Sequence, residues 1–353
     1  MIGGKLKILV ITKWMIKNNG ASRVVYELSK RFKMDHEIRI AVYKDYLDPE
    51  WEDEFKIHKL QNKGLFAFTE IRKIIKEYQP DVIHSHDWLG LLALLSNTPQ
   101  LATNHSNWPM NWFLSMKDFV GGLIQEIPHE IKLHCVNKVV SISSYQYRKL
   151  KKRGISSEMI YNGVASDYFE LPKKQIKMIH PAVLFVGNVD NRKAKYLVPF
   201  IKSLNQKNKN VHIYIIGAPI HKKIIEKLDN FQNTHYLGII NDVKPYYYEA
   251  DALIFISKVE ACPLVPIESQ ACGLPVVAFD VCSNRELIKN EYSGFLIELG
   301  DVNAAVNKIL LMLENSTLLN KMSINSIDNV KKFNWDMKAQ EYLKELEKIS
   351  DKI

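Results

Sequence analysis

Residues 257–279, SKVEACPLVPIESQACGLPVVAF, constrain the fold of this chain more than any other stretch. Pro263 and Pro266 suit a loop that enters a helix, because a proline in the first helical turn removes no intrahelical hydrogen bond. Gly273 fits the left-handed position just past a helix end, and the β-branched run after Pro275 predicts a buried strand. The segment therefore predicts a loop, a short helix and a strand in succession.

Two carboxylates mark the start and the body of this predicted helix. Glu260 precedes it, and Glu268 lies within it, eight positions later. The first N–H groups of a helix have no intrahelical partner and attract anions such as phosphate or sugar oxygens. A carboxylate beside them can accept hydrogen bonds from the hydroxyls of the same ligand. Taken alone, the two acids also fit a helix with one solvated and one capping glutamate.

The whole pattern of Glu260, seven residues, Glu268 and the ACGLPVV run resembles the donor-site signature of the retaining GT-B glycosyltransferases of family 4. The resemblance implies an α/β fold with two Rossmann-like domains facing across a cleft, and a C-terminal helix that crosses back to the first domain. It implies transfer of a sugar from a nucleotide-diphosphate sugar to an acceptor hydroxyl, with retention of the anomeric configuration. Glu260 would contact the sugar and Glu268 the ribose hydroxyls.

Strand and helix patterns alternate along the chain, which also predicts a parallel α/β architecture. At 353 residues, two domains are expected. We place the boundary at Pro172, so that residues 1–171 form an acceptor domain and residues 172–335 a nucleotide-sugar donor domain. The helix at 336–353 would return to the first domain.

The second domain is expected to hold the donor at one edge of its sheet. Four of its predicted strands end at a glycine or at the glutamate motif, and ligands of open α/β sheets bind outside the carboxyl ends of the strands. Besides Glu268 and a first-domain residue, Gly20, the donor-binding residues that we predict are Gly187, Asn188, Arg192, Gly217, Pro263, Leu264 and Val265.

The loop GNVDNRKA, residues 187–194, resembles the family's loop whose arginine and lysine neutralise the donor diphosphate. Lys193 matches the lysine, but Asn188 stands at the arginine position and Ala194 at the last glycine. Arg192 is the candidate for the missing charge. A departing diphosphate needs positive charge, so the Asn188 departure predicts reduced turnover or donor affinity.

Other departures from the family pattern concern glycines. The loop before the first helix keeps only Gly20, where the family has more glycines near the donor phosphates and the acceptor. Glycine lets backbone approach a ligand closely, although the same loop also fits an ordinary strand-to-helix turn. Ala261 replaces a usual glycine, and Cys-Ser-Asn at 282–284 replaces paired glycines.

Histidines follow two predicted strands of the first domain. His105 matches a family histidine near the donor sugar, so it joins Glu260 and Lys193 as a candidate catalytic residue, although a lone histidine after a strand is often structural. His84 and His86 suggest a metal pair, but no third ligand accompanies them. We expect His84 to pack in or beside its strand and His86 to line the cleft. No metal or cofactor is expected, since the family needs none and no Asp-x-Asp triplet occurs.

Residues 107–127 are rich in large apolar side chains, which fits either a core helix or a surface for the acceptor or a membrane. The predicted partners are therefore a nucleotide-sugar donor, a glycan or lipid-linked acceptor and the inner face of a membrane. The net charge of +9 is spread over both halves, so no nucleic-acid partner is expected. No apolar run is long enough to span a bilayer, KILVIT is too short for a signal peptide, and the four cysteines contain no CxxC. A cytoplasmic location is therefore expected.

Two other functions are compatible with the same pattern. A sugar-nucleotide epimerase of this architecture would form product without an acceptor. A non-catalytic GT-B partner subunit would keep the fold without the chemistry. The absence of the arginine at Asn188 favours the subunit slightly, whereas Glu260, Glu268 and Lys193 argue against it.

Overall fold

The computed structural model describes residues 4–17, 19–106 and 127–350. The chain forms two compact units: the first runs to Gly163 and resumes at Trp335, and the second runs from Val164 to Asn334. The second unit begins before the predicted boundary at residue 172, because the chain is already paired within it. The Val164 N–H donates to the Phe333 carbonyl at 2.7 Å.

The described part of the first unit contains a seven-stranded parallel sheet. The two central strands, KILVI and VIHS, are buried almost throughout, as expected for the middle of a sheet covered on both faces, whereas the edge strands KIHKL and EM are mostly exposed or half-buried. Its order is β3-β2-β1-β4-β5-β6-β7. The strands are β1 (Lys7–Ile11), β2 (Glu37–Tyr43), β3 (Lys56–Leu60), β4 (Val82–Ser85), β5 (Gln100–Asn104), β6 (Lys138–Ser141) and β7 (Glu158–Met159).

The helices of this unit lie between successive strands. They are α1 (Gly20–Asp35), α2 (Pro49–Glu52), α3 (Phe68–Tyr78), α4 (described over 127–135) and α5 (Ser144–Lys152). α1 follows directly from its sequence: the Asn19 side chain accepts the Ser22 N–H and caps the helix, and its apolar face is buried.

One predicted helix takes a different form. The pattern over 89–95 predicts an α-helix, but Trp88–Ala93 form a 3₁₀-helix. Gly90 explains the tight turn, because a Cβ there would lie 2.5 Å from the Ser85 Cβ and 2.5 Å from the Gln100 side chain. The Gln100 amide also donates to the Gly90 carbonyl at 3.1 Å. The turn is therefore held too close to β4 and β5 for a wider helix.

The second unit contains a six-stranded parallel sheet with the order β10-β9-β8-β11-β12-β13. The strands are β8 (Ala182–Val186), β9 (His212–Ile216), β10 (Thr234–Gly238), β11 (Ala252–Phe255), β12 (Val276–Phe279) and β13 (Gly294–Ile297). The helices are α6 (Leu197–Lys207), α7 (Lys222–Leu228), α8 (Lys244–Glu249), α9 (Leu264–Ala271), α10 (Asn284–Leu287), α11 (Val302–Glu314) and α12 (Ser316–Val330).

The C-terminal helix α13 (Trp335–Ser350) returns to the first unit. It packs against α1, β4 and β5. The Tyr342 ring lies 5.4 Å from that of His84, and Glu345 forms an ion pair with Lys138 at 3.2 Å. The last helix of the chain therefore belongs to the first unit, as the sequence predicts. Each unit is a parallel sheet with helices between its strands, so both units are Rossmann-like.

The strand order reverses at one point in each sheet, between β1 and β4 in the first unit and between β8 and β11 in the second. Loops that leave the carboxyl ends of the strands at such a point form the usual ligand crevice of this architecture. No helix of the described residues is long and apolar enough to cross a membrane.

Candidate functional site

The loops that follow β8 and β11 bring together two residues predicted from the sequence. The Lys193 ammonium lies 3.6 Å from the Glu260 carboxylate. Glu260 is only 8% exposed, and its Oε1 has no hydrogen-bond partner within the described chain. A buried carboxylate oxygen without a hydrogen bond is costly, so this edge of the sheet holds an acceptor that a ligand hydroxyl could satisfy.

The backbone of the 187–195 loop is fixed by its own residues. One oxygen of Asp190 accepts the N–H groups of Arg192 at 2.9 Å and Lys193 at 2.7 Å. Such an aspartate turn orders the loop without using the lysine ammonium. The turn therefore leaves the Lys193 side chain available to the site.

Gly187 and Gly217 end neighbouring strands and contact one another through their backbones. A Cβ at Gly217 would lie 1.9 Å from the Gly187 carbonyl oxygen, and both glycines have φ values that L side chains rarely adopt. Gly217 thus has a structural reason to be glycine that the sequence pattern alone does not show. Asn188 follows this contact, and its N lies 3.2 Å from the same ideal Cβ.

Helix α9 begins as the sequence predicts, with Pro263 at its N-cap and no side-chain hydrogen bond to its first turn. The N–H groups of Leu264 and Val265 belong to that uncapped turn, which attracts anions. Gly273 takes the left-handed conformation, with φ +77°, that ends the helix.

Glu268 lies on α9 and is 8% exposed, and its polar neighbours Ser269 and Gln270 are buried as well. The hydroxyl of buried Tyr247 donates to Glu268 Oε2 at 3.2 Å. Tyr247 lies on α8 and is one of three consecutive tyrosines, and no feature of the sequence distinguishes it from the other two. This contact holds the Glu268 carboxylate in one position.

The corresponding edge of the first unit gathers histidines. His84 is fully buried, as predicted, and its Nε2 lies 2.8 Å from Thr103 Oγ1. His86 is also buried, and its Nδ1 is hydrogen-bonded to Nε2 of half-buried His105 at 3.0 Å. Burial lowers the pKa of all three well below the usual range, so they are neutral at pH 7. No group of three metal-binding side chains occurs within the described ranges.

Lys132 is the main residue of this edge that sequence reasoning missed. It lies on α4, is fully buried, and donates to the Asp87 carbonyl at 2.7 Å. Burial lowers the pKa of Lys132 to about 7, although the Asp87 carboxylate opposes this shift. Asp87 itself accepts the N–H groups of Lys13 and Leu89. Nothing in the spacing of the α4 sequence distinguishes Lys132 from a surface lysine.

Two further predictions concern this unit. Gly20 begins α1, where an added Cβ would meet nothing within 4 Å. The backbone there has room for a ligand. The segment at 107–127, with its large apolar side chains, lies outside the described residues except for Ile127, so its role stays a prediction.

Both halves of the chain match known protein families. Residues 18–168 match the family described as Glycosyltransferase Family 4, and residues 169–329 match the Glycosyl transferases group 1 family. The chain belongs to glycosyltransferase family 4. The family resemblance of the glutamate motif is thereby confirmed, and the protein is a glycosyltransferase of the GT-B fold.

Individual relatives of this glycosyltransferase span its full length. An uncharacterized glycosyltransferase of Methanocaldococcus jannaschii is 26% identical, over 98% of this chain and 99% of the relative. A Campylobacter jejuni GalNAc-alpha-(1->4)-GalNAc-alpha-(1->3)-diNAcBac-PP-undecaprenol alpha-1,4-N-acetyl-D-galactosaminyltransferase is 22% identical, over 98% and 99%. The crystal structure of Anabaena HepE with UDP and glucose covers 97% of this chain and 100% of its own, with 15% identity and a TM-score of 0.83. At 15% identity, the similarity to HepE shows a shared fold only.

One departure from the family pattern is visible in the backbone of this glycosyltransferase. Cys282, at a position where the family often has glycine, has φ +49°, the left-handed conformation that favours glycine. The backbone there takes a conformation that favours glycine, although the residue is a cysteine. Asn188 is neutral where the family resemblance implies an arginine, and its effect on the donor stays a prediction.

Proposed function

We propose that this glycosyltransferase transfers a sugar from a nucleoside-diphosphate sugar to an acceptor hydroxyl with retention of the anomeric configuration. The observation that carries the proposal is the juxtaposition of Lys193 and buried Glu260 at the strand-order reversal, beside the uncapped start of α9. A cation and free N–H groups suit a diphosphate, and a carboxylate oxygen without a hydrogen bond suits a sugar hydroxyl.

Each residue then has a role in binding the donor. Lys193 and the first N–H groups of α9 hold the diphosphate. Glu268, oriented by Tyr247, accepts hydrogen bonds from the ribose hydroxyls. Glu260 contacts the transferred sugar. For His105, in the first unit, the contact with the donor sugar that the family resemblance implies stays a prediction.

In the proposed reaction, the bond from the anomeric carbon to the diphosphate oxygen breaks, and a bond to the acceptor oxygen forms on the same face of the sugar. The acceptor proton passes to the departing diphosphate. Negative charge grows on the leaving group, so a fixed cation and oriented N–H groups lower the barrier. No residue needs to act as a covalent nucleophile, and no metal is required.

We also propose that the acceptor is a glycan or a lipid-linked saccharide, in glycolipid or cell-surface polysaccharide synthesis. The support is the Campylobacter relative, whose name gives an undecaprenol-linked acceptor. An acceptor of this kind is presented at a membrane, so the enzyme must reach a lipid surface.

A surface of the first unit suits such a contact. Leu65 and Phe66 lie on a 3₁₀-helix and are 71% and 80% exposed. This helix packs against Trp88–Ala93, and Leu95, 81% exposed, follows two residues later. Exposed Lys63 lies two positions before Leu65 and forms an ion pair with Asp45, the sequence neighbour of exposed Lys44. An apolar patch beside basic residues favours an anionic bilayer.

The bilayer contact is tested with vesicles that contain phosphatidylglycerol. A Leu65→Ser/Phe66→Ser double variant should co-sediment several-fold less than the wild type. Ile324→Ser is the matched control, because Ile324 is 69% exposed in the second unit. Equal loss in both variants, or none in either, would contradict the proposal.

The transfer reaction is tested by screening nucleotide sugars by thermal shift and then assaying the ones that bind. With a glycan acceptor, the anomeric configuration of the product is read by NMR, and Glu260→Gln should abolish its formation. Inversion would disprove retention. Product without an acceptor would indicate an epimerase, and nucleotide binding without turnover would indicate a non-catalytic subunit.

A further inference from the structure

The donor site is short of positive charge if only the family positions are counted. Asn188 is neutral where the family resemblance implies an arginine, and the ammonium of Lys193 faces the Glu260 carboxylate at 3.6 Å. A nucleoside diphosphate carries at least two negative charges near neutral pH. One lysine that already faces a carboxylate gives little compensation, so a further cation would strengthen diphosphate binding beyond what Lys193 and the α9 N–H groups supply.

Three other basic side chains belong to the two loops at this edge: Arg192, Lys195 and Lys258. Within the described chain, no carboxylate lies within ion-pair distance of any of them. The Lys195 side chain is exposed and lies over the Tyr196 ring at 5.5 Å. Its ammonium therefore already has an aromatic contact.

Lys258 is placed differently, on the loop that leads from β11 to Glu260. Its N–H donates to the Arg192 carbonyl at 2.9 Å. This bond ties the loop after β11 to the loop after β8, which are the two loops at the strand-order reversal. The residue is half-buried, and it lies two positions before Glu260 and six before the start of α9.

The electrostatic surroundings of Lys258 suit an anion. Partial burial, and then the ammonium of Lys195, lower its pKa below the ordinary value. Two ammonium groups that repel one another, with no acid nearby to relieve the repulsion, gain from a bound anion. A diphosphate at this edge would supply that charge.

We propose that Lys258 binds the diphosphate of the donor and replaces the arginine that the family carries at position 188. The inference rests on the proposed function, since it assigns a further residue to the same site. It predicts that the chain has moved the second phosphate-binding charge from the loop after β8 to the loop after β11. On this account the Asn188 departure costs little donor affinity.

The test compares nucleotides that differ by one phosphate. Affinities of UDP, UMP, GDP and GMP are measured by calorimetry for the wild type and for Lys258→Met. We expect diphosphate affinity to fall about tenfold or more, as for loss of a charge-assisted hydrogen bond, and monophosphate affinity to fall much less. Lys258→Arg should keep most of the affinity, and Lys227→Met, at an exposed lysine of α7, is the matched control and should keep it.

A second variant makes the result independent of folding effects. Asn188→Arg in the Lys258→Met background restores the charge at the family position, so it should recover diphosphate affinity. Unchanged diphosphate affinity in Lys258→Met, or a loss confined to Arg192→Met, would overturn the inference while leaving the proposed function intact. A wild-type protein that binds neither UDP nor GDP would instead contradict the proposed function.

Discussion

Glu268 shows how a single residue prediction is sharpened by its surroundings. The carboxylate is buried and receives the Tyr247 hydroxyl, so its position is set before any ligand binds. We expect Glu268→Ala to lower the affinity for UDP or GDP at least tenfold, because each hydrogen bond to a charged group contributes about 1.5–3 kcal/mol. Unchanged affinity in calorimetry would remove the proposed ribose contact.

Tyr247→Phe should have a smaller effect in the same direction, about threefold to tenfold, since the carboxylate is kept and only its orienting donor is lost. Tyr246→Phe, the neighbouring half-exposed tyrosine, is the control. In a Glu268→Ala background, Tyr247→Phe should cost no further affinity, because the two residues act through one contact. An additive loss would show that Tyr247 acts elsewhere.

At the scale of elements, the sequence predicts most of the α/β pattern, and the exceptions come from contacts between elements that are distant in sequence. The α9 start at Leu264 and its end at Gly273 follow from proline and glycine, whose backbone preferences do not depend on packing. The 3₁₀-helix at Trp88–Ala93 depends on the close approach of Gly90 to β4 and β5, which only the folded sheet reveals. Buried Lys132 was missed for the same reason, because its partners come from distant elements.

Replacing Gly217 or Gly20 by alanine gives two matched variants whose stabilities can be compared. Gly217→Ala places a Cβ 1.9 Å from the Gly187 carbonyl oxygen, so the ends of β8 and β9 must separate. We expect a loss of roughly 2–4 kcal/mol in unfolding free energy, together with weaker binding of UDP or GDP. Gly20→Ala meets open space and should be neutral or stabilise by up to about 1 kcal/mol. Equal stability of both variants in denaturant titration would contradict the close approach.

The start of α9 also carries a prediction about metals. If its uncapped N–H groups and nearby lysines stabilise the departing diphosphate, turnover should persist in excess EDTA. The measurement is product formation with and without the chelator, with a chelator-inactivated metalloenzyme as the positive control. Activity that disappears with EDTA and returns with Mg²⁺ or Mn²⁺ would disprove the metal-free reaction.

At the scale of the whole molecule, the two units differ in how they hold their histidines. In the first unit, burial keeps His84, His86, His105 and His129 neutral, with pKa values well below the usual range. In the second unit, Asp251 raises the pKa of His180, whereas partial burial lowers that of His235. A lowered histidine pKa means that the unfolded chain binds more protons than the folded chain below about pH 6.5, so the stability of the fold decreases as the pH is lowered. A raised histidine pKa has the opposite effect, because the stability that it contributes is lost as the pH rises.

The first unit should therefore be the acid-sensitive one. At pH 5.5, one unit below the ordinary histidine pKa, each fully buried neutral histidine costs about 1.4 kcal/mol, or roughly 4 kcal/mol for His84, His86 and His129 together, and half-buried His105 adds to this loss. Lys132, whose pKa is about 7, acts in the same direction, and Asp87, whose pKa burial raises, acts in the opposite one.

Tryptophan emission can isolate this effect, because all six tryptophans of the chain fall within the residue ranges of the first unit. We expect the unfolding free energy detected by tryptophan emission to fall by several kcal/mol between pH 7.5 and pH 5.5. His129→Gln, which can keep a hydrogen bond to Asn104, should remove about 1.4 kcal/mol of this loss, since glutamine takes up no proton. A tryptophan-detected stability that is flat over this range would mean that these histidines are protonated in the folded state.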